Sequence, residues 1–210
     1  MIAFSKILTV CGFATHVKAE PPTVPAGTEV CVIPVEQYNE KVEPKDQKAS
    51  ASLKIITTGT VLGKGAHGRC YLVDVLRDGG TTKPAVLKVI DLEYVQKKGS
   101  RITNLQNEFT ANKFFSTKQN EHPAIIKALG MRWDANEQLA YLILEYVDGK
   151  ELYQSLNSGF INFGFCWMSI VDKQLAAAQY ISAIAWMHKH EWLHGDIKPQ
   201  NTRLTADGHI

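Results

Sequence analysis

Short apolar runs rich in β-branched residues occupy Lys54–Thr60, Cys70–Leu76 and Ala85–Ile90. Runs of that length bounded by turn residues predict strands, and Gly79-Gly80 between the second and third marks a hairpin. Leu105, Phe109 and Phe115 then recur among polar neighbours, which predicts a helix over Ile102–Thr117. Two further strands are predicted at Ile125–Trp133 and Ala140–Glu145, separated by the turn residues Asp134-Ala135-Asn136. Over Val171–His188, Leu175, Ala178, Ile181, Ile184, Ala185 and Met187 fall at helical spacing. Three strands, a helix, two strands and a helix suit a small antiparallel sheet carrying one helix, followed by the beginning of a helical lobe.

The N-terminal quarter reads differently. Residues 20–52 hold five of the eight prolines and the polar run Glu43-Pro44-Lys45-Asp46-Gln47-Lys48. That composition predicts an extended linker, with room for one short strand at Val30–Val35. Residues 1–19 carry Lys6, the mostly apolar Ile7–Ala14, and Val17 and Ala19 at positions fit for a signal peptidase. His16 and Lys18 interrupt that pattern, so an extra β-strand or a frayed terminus is the competing reading. The compartment follows the choice: cytoplasmic, or secreted if the segment is cleaved after Ala19.

Composition narrows the function classes. A chain of 210 residues can bury one core or two small lobes, and 45% hydrophobic with 21% charged residues is the balance of an ordinary globular protein. A net charge of +2, with Lys and Arg scattered, gives no basic stripe for nucleic acid. No apolar run is long enough to span a bilayer. Cys11, Cys31, Cys70 and Cys166 form no C-x-x-C pair and no Cys/His cluster, which argues against a metal site built by the protein. Four free thiols, mostly buried, are expected.

Three constellations carry chemistry. Gly63-Lys64-Gly65-Ala66-His67-Gly68 is a G-x-G-x-x-G stretch followed by the strand-like Arg69–Val73 rather than a helix. It therefore reads as a hairpin tip whose backbone N–H groups could approach phosphates, and not as a dinucleotide fingerprint. Lys88 ends an apolar run, where a desolvated ammonium needs an anionic partner. Glu108 on the predicted helix is favoured for that role over Glu93, which follows the strand too soon. The segment His194-Gly195-Asp196-Ile197-Lys198-Pro199-Gln200-Asn201 sets an acid, a cation and an amide at fixed spacing near the end of the chain.

In this order the pieces resemble the eukaryotic-type protein kinase family, of serine/threonine type, over about Leu53 to Ile210. His122-Pro123-Ala124-Ile125-Ile126 is similar to the segment that follows the family's N-lobe helix, and Leu144–Gly149 to its gatekeeper and hinge. The resemblance implies an α+β fold: a five-stranded antiparallel N-lobe sheet with one helix, plus the beginning of a helical C-lobe. Beside the possible signal peptide (1–19) and the Pro-rich linker (20–52), it divides the rest of the chain into N-lobe and hinge (53–148) and a partial C-lobe (149–210). It also implies ATP and Mg²⁺ as cofactors and a protein as substrate. Asp196 would take the hydroxyl proton, Lys198 would steady the phosphoryl group and Asn201 would hold Mg²⁺. Gly63, Gly65 and Gly68 would cover the phosphates, and Lys88 with Glu108 would aim at them. Cys70, Glu145 C=O and Val147 N–H would contact adenine, with Leu144 limiting the rear pocket.

Several positions depart from the family pattern. Gly195 replaces the Arg that usually pairs with a phosphorylated activation loop, and Val86 replaces a usual Ala. Arg203 stands where a Leu usually lies under adenine, so its guanidinium must stack on the base or swing away. No Asp-Phe-Gly occurs in the 210 residues. Asp207 reads as a turn residue of the hairpin leading toward that motif. The sequence thus reads as a truncated kinase domain that by itself transfers no phosphate. The alternatives are a pseudokinase that binds nucleotide or a partner, and a small-molecule phosphotransferase.

Overall fold

The computed structural model describes residues 2–3, 23–39, 41–42, 46, 52–65, 68–76, 80–97, 102–134, 136–152 and 170–205. The chain divides into two compact units. One comprises Cys11–Glu121 and Ile126–Tyr146; the other comprises Met1–Val10, His122–Ile125 and Val147–Ile210.

The first unit is an antiparallel barrel. Its strands are β2 (Glu29–Pro34), β3 (Leu53–Gly65), β4 (Gly68–Leu76), β5 (Thr82–Asp91), β6 (Ala128–Asp134) and β7 (Leu139–Glu145), following a two-residue β1 at Ile2–Ala3 in the other unit. They close in the order β2-β3-β4-β5-β7-β6. Five of these strands are the expected sheet. The sixth, β2, lies inside the Pro-rich stretch, where Val30 and Val32 alternate inward. Its first four residues pair with β3, and Ile33 and Pro34 pair with Met131 and Gly130 of β6.

Alternation along β5 explains why its apolar run is continuous. Ala85, Leu87 and Val89 join Ile55, Tyr71, Val73, Tyr141 and Ile143 in one core. Val86 and Ile90 face the other way, into a second core with Leu142, Leu144 and Phe109. A strand covered on both faces needs apolar residues at every position. Lys88 lies between Val86 and Ile90 on the second face and is only 8% exposed.

That second core is roofed by α1 (Leu92–Lys97) and α2 (Ile102–Ser116). The short α1 went unpredicted, because one turn with Leu92 and Val95 buried is too brief to show a period. Strand β6 begins at Ala128, three residues later than expected. Ile125 N–H instead closes a turn onto His122 C=O at 3.0 Å. Cys31 is free as expected, but Cys70 is disulfide-bonded. The correction arises because separation in sequence does not report proximity in the fold.

The second unit contains α3 (Ile170–Lys189), β8 (Gly149–Glu151), β9 (Trp192–Leu193), β10 (Arg203–Thr205) and a 3-10 turn at Pro199–Asn201. Strand β9 pairs in parallel with β1, and β10 pairs antiparallel with β8. Ala176, Ala183 and Met187 bury one narrow strip of α3, while Val171, Leu175 and Ile181 stay exposed. Among the described residues no helix is long and apolar enough to cross a membrane. The possible signal peptide lies outside the described residues except for Ile2 and Ala3.

Candidate functional site

The glycine stretch forms the end of the β3–β4 hairpin. Gly63 pairs with Cys70, Lys64 with Arg69 and Gly65 with Gly68, while Ala66 and His67 fall outside the described residues. A Cβ on Gly68 would stand 1.9 Å from the Val89 carbonyl oxygen. The third glycine is thus demanded by the close approach of β4 to β5, whatever the loop binds. Two register shifts in β3, between Thr57 and Gly63, bend the hairpin before its glycines.

Cys70 and Lys88 are opposite one another on β4 and β5. The ammonium of Lys88 forms an ion pair with the Glu108 carboxylate from α2. Their side chains are 10% and 12% exposed, so each charge depends on the other for compensation. Glu93, the rival partner, is an exposed residue of α1. Glu145 ends β7, with its backbone N–H bonded to Lys127 C=O at 2.9 Å and its carboxylate accepting from Lys127 N–H at 2.8 Å. Leu144 is buried opposite Val86. Val147 begins the last segment of the second unit.

In that unit Asn201 organises the loop. Its Nδ2 donates to the Asp196 backbone oxygen at 2.8 Å and to Asp196 Oδ2 at 3.0 Å. The amide NH₂ must face these two acceptors, which turns Oδ1 away. Oδ1 is buried and has no hydrogen-bond partner. Lys198 Nζ lies 2.9 Å from Asp196 Oδ2, so amide and ammonium share one carboxylate oxygen. Gly195 takes φ 73°, a left-handed conformation that glycine adopts without steric cost.

His194 is a structural member of the loop whose role is not visible in the sequence. Its Nδ1 accepts the Asp196 N–H at 3.1 Å, which places the ring proton on Nε2. Burial holds its pKa below the usual histidine value, with Asp196 pulling it up and Lys198 pushing it down. A lone histidine before Gly195 gave little signal in the sequence, since only the fold shows it buried.

Arg203 resolves its own dilemma. Its Nη1 donates to Gly149 C=O at 2.8 Å, and it is the cross-strand partner of Glu151. Burial raises the Glu151 pKa, and the Arg203 charge partly offsets the rise.

Among the described residues no cluster of three His, Cys, Asp or Glu could hold a metal ion. The residues still fit Mg²⁺ that arrives with a nucleotide. Such a Mg²⁺ takes hard oxygen ligands and needs only one or two from the protein, the rest coming from phosphates and water. The buried, unpartnered Oδ1 of Asn201 is such an oxygen.

A family model described as protein kinase domain matches residues 56–210. The chain belongs to the protein kinase domain family. It is similar to the serine/threonine-protein kinase chk-1 of Caenorhabditis elegans, 31% identical over 160 residues, covering 76% of this chain and 28% of the relative. An Aurora kinase of Saccharomyces cerevisiae is 34% identical over 157 residues, covering 72% of this chain and 37% of the relative. The cAMP-dependent protein kinase catalytic subunit PRKX of Mus musculus is 28% identical over 200 residues, covering 95% and 50%. The chain spans half or less of the length of these curated relatives. In kinase terms the barrel is the antiparallel N-lobe sheet, with one strand more than five.

Proposed function

We propose that this chain supplies the nucleotide-binding lobe and catalytic loop of an ATP-dependent protein serine/threonine kinase. In this reading residues 53–148 serve as N-lobe and hinge and 149–210 as the first part of the C-lobe. The observation that carries it is the buried Lys88–Glu108 pair. An ammonium fixed by a carboxylate within an apolar strand can address an anion without giving up its partner. Gly63, Gly65 and Gly68, lacking side chains at the hairpin end, would let the backbone approach phosphates closely. Cys70, Glu145 C=O and Val147 N–H would hold adenine. Asn201 Oδ1 would hold Mg²⁺, which neutralises phosphate charge when bound. Asp196, oriented by Asn201, accepts the proton of a protein hydroxyl, and Lys198 exchanges the Asp196 carboxylate for the transferred phosphoryl group.

The relatives named serine/threonine kinases support the choice of hydroxyl acceptor. The 210 residues contain no Asp-Phe-Gly, so appreciable phosphoryl transfer is not expected from them alone. Calorimetric titration of the 210-residue chain with Mg²⁺·ATP tests the binding half: affinity should be measurable and should vanish in Lys88→Met. A radiolabelled γ-phosphate assay tests the catalytic half. In a longer product carrying Asp-Phe-Gly, Lys88→Met and Asp196→Ala should each lose several orders of magnitude in turnover. Binding without any transfer in that product would make it a pseudokinase instead.

A further inference from the structure

Glu108 can meet Lys88 only while α2 keeps its place on the sheet, and the intrinsic helix propensity of α2 does little to keep it there. Its 15 residues include Thr103, Asn104, Asn107, Thr110 and Asn112, all poor helix formers. Such a helix is held by tertiary contacts more than by propensity. It buries Leu105, Phe109, Ala111 and Phe115, and of these Phe109 is the residue next to Glu108.

Two aromatic edges grip that ring. Trp133 of β6 lies at a centroid distance of 6.3 Å and 84°. Tyr38 lies at 6.3 Å and 86°, and is itself only 5% exposed. One turn beyond Phe109, Lys113 Nζ donates to the Tyr38 backbone oxygen at 2.5 Å. Tyr38 follows β2 and the 3-10 turn Val35–Gln37, so it comes from the stretch read in the sequence as a linker. Strand β2 delivers it there by its pairing with β6. That pairing is tight: a Cβ on Gly130 would stand 2.9 Å from Ile33 O and from Val32 Cγ2.

We infer that Glu29–Tyr38 is a built-in brace for α2, in which Tyr38 and Lys113 are positioning residues that keep Glu108 on Lys88. The brace itself is a statement about the N-lobe; its consequence for phosphate binding rests on the proposed function.

The test is competitive acetylation of the 210-residue chain by acetic anhydride, read by mass spectrometry at Lys88 against exposed Lys54 as internal reference. Tyr38→Ala should raise the relative Lys88 rate about three- to tenfold, the range carried by one edge-to-face aromatic pair. Tyr38→Phe keeps the ring and should raise the rate less than Tyr38→Ala, and Lys113→Met should raise the rate in the same direction. In a Glu108→Gln background, where Lys88 is already released, Tyr38→Ala should add nothing. An unchanged Lys88 rate in folded Tyr38→Ala would overturn the brace. An equal increment in the Glu108→Gln background would overturn it too, as would a matching rise at every lysine. If Tyr38→Ala does not fold, Lys113→Met decides by the same criteria. Protection of Lys88 by added Mg²⁺·ATP is scored separately. Its failure would sink the nucleotide reading and leave the brace standing.

Discussion

Among the Lys–carboxylate pairs of the described residues, two are of opposite character. Lys88 and Glu108 are nearly dry, at 10% and 12% exposure, and join a strand to a helix. Lys198 and Asp196 are 40% and 26% exposed and lie two residues apart in one loop. Burial makes the first pair obligatory, since losing either partner strands the other charge. Solvent makes the second exchangeable, since water screens both charges. The difference matches the tasks proposed for them. A group that orients phosphate must stay put, whereas a base and its neighbouring cation must change partners during a reaction.

The sharpest way to break this contrast is Lys88→Met. It leaves Glu108 uncompensated and should cost about 3 kcal/mol in denaturant unfolding, toward the low end for a broken buried pair. A cost no greater than that of Lys198→Met would erase the distinction. Next in size is Asn201→Ala, which removes both donations to Asp196. It should lower stability by about 1–2 kcal/mol and abolish the Mg²⁺-dependent part of nucleotide affinity.

A smaller effect sharpens the picture of the loop. The folded His194 binds its proton less readily than an exposed histidine, whose ordinary value is 6.5, because of burial. The unfolded chain therefore takes up the proton first as pH falls. Its contribution is full above that value and is lost as the pH drops below it. Wild type should lose stability faster than His194→Asn over that window, by a difference of under about 1 kcal/mol. His122, whose pKa burial also lowers, is common to both proteins and cancels. Smallest of all is Lys198→Met, within about 0.5 kcal/mol of wild type in stability, because its partner stays hydrated.

What could be read from the sequence depended on the range of the cause. Strands β3, β4, β5 and β7 and helices α2 and α3 carry their period within their own residues. Lys88 needed an anion, and the position of Glu108 one helix later supplied it. The sixth strand was harder, because prolines dominate the composition around Val30 and Val32. The role of Tyr38 was invisible, since its contact with Phe109 joins residues 71 apart through a closed sheet. His194 and the free Oδ1 of Asn201 likewise depend on burial and on which way an amide faces, which no spacing reveals. Arg203 was legible as a problem but not as its solution, because the Gly149 carbonyl reaches it only through the β8–β10 pairing.

One consequence of the closed barrel concerns how this lobe can be handled. With β2 bonded on both sides, neither β3 nor β6 offers a bare edge to another chain. A shortened protein beginning at Leu53, near the start of the family match, would unzip that seam and expose two strand margins at once. Such a product should self-associate by edge-to-edge pairing, so β2 acts as a seal against aggregation as much as a lead-in to the domain.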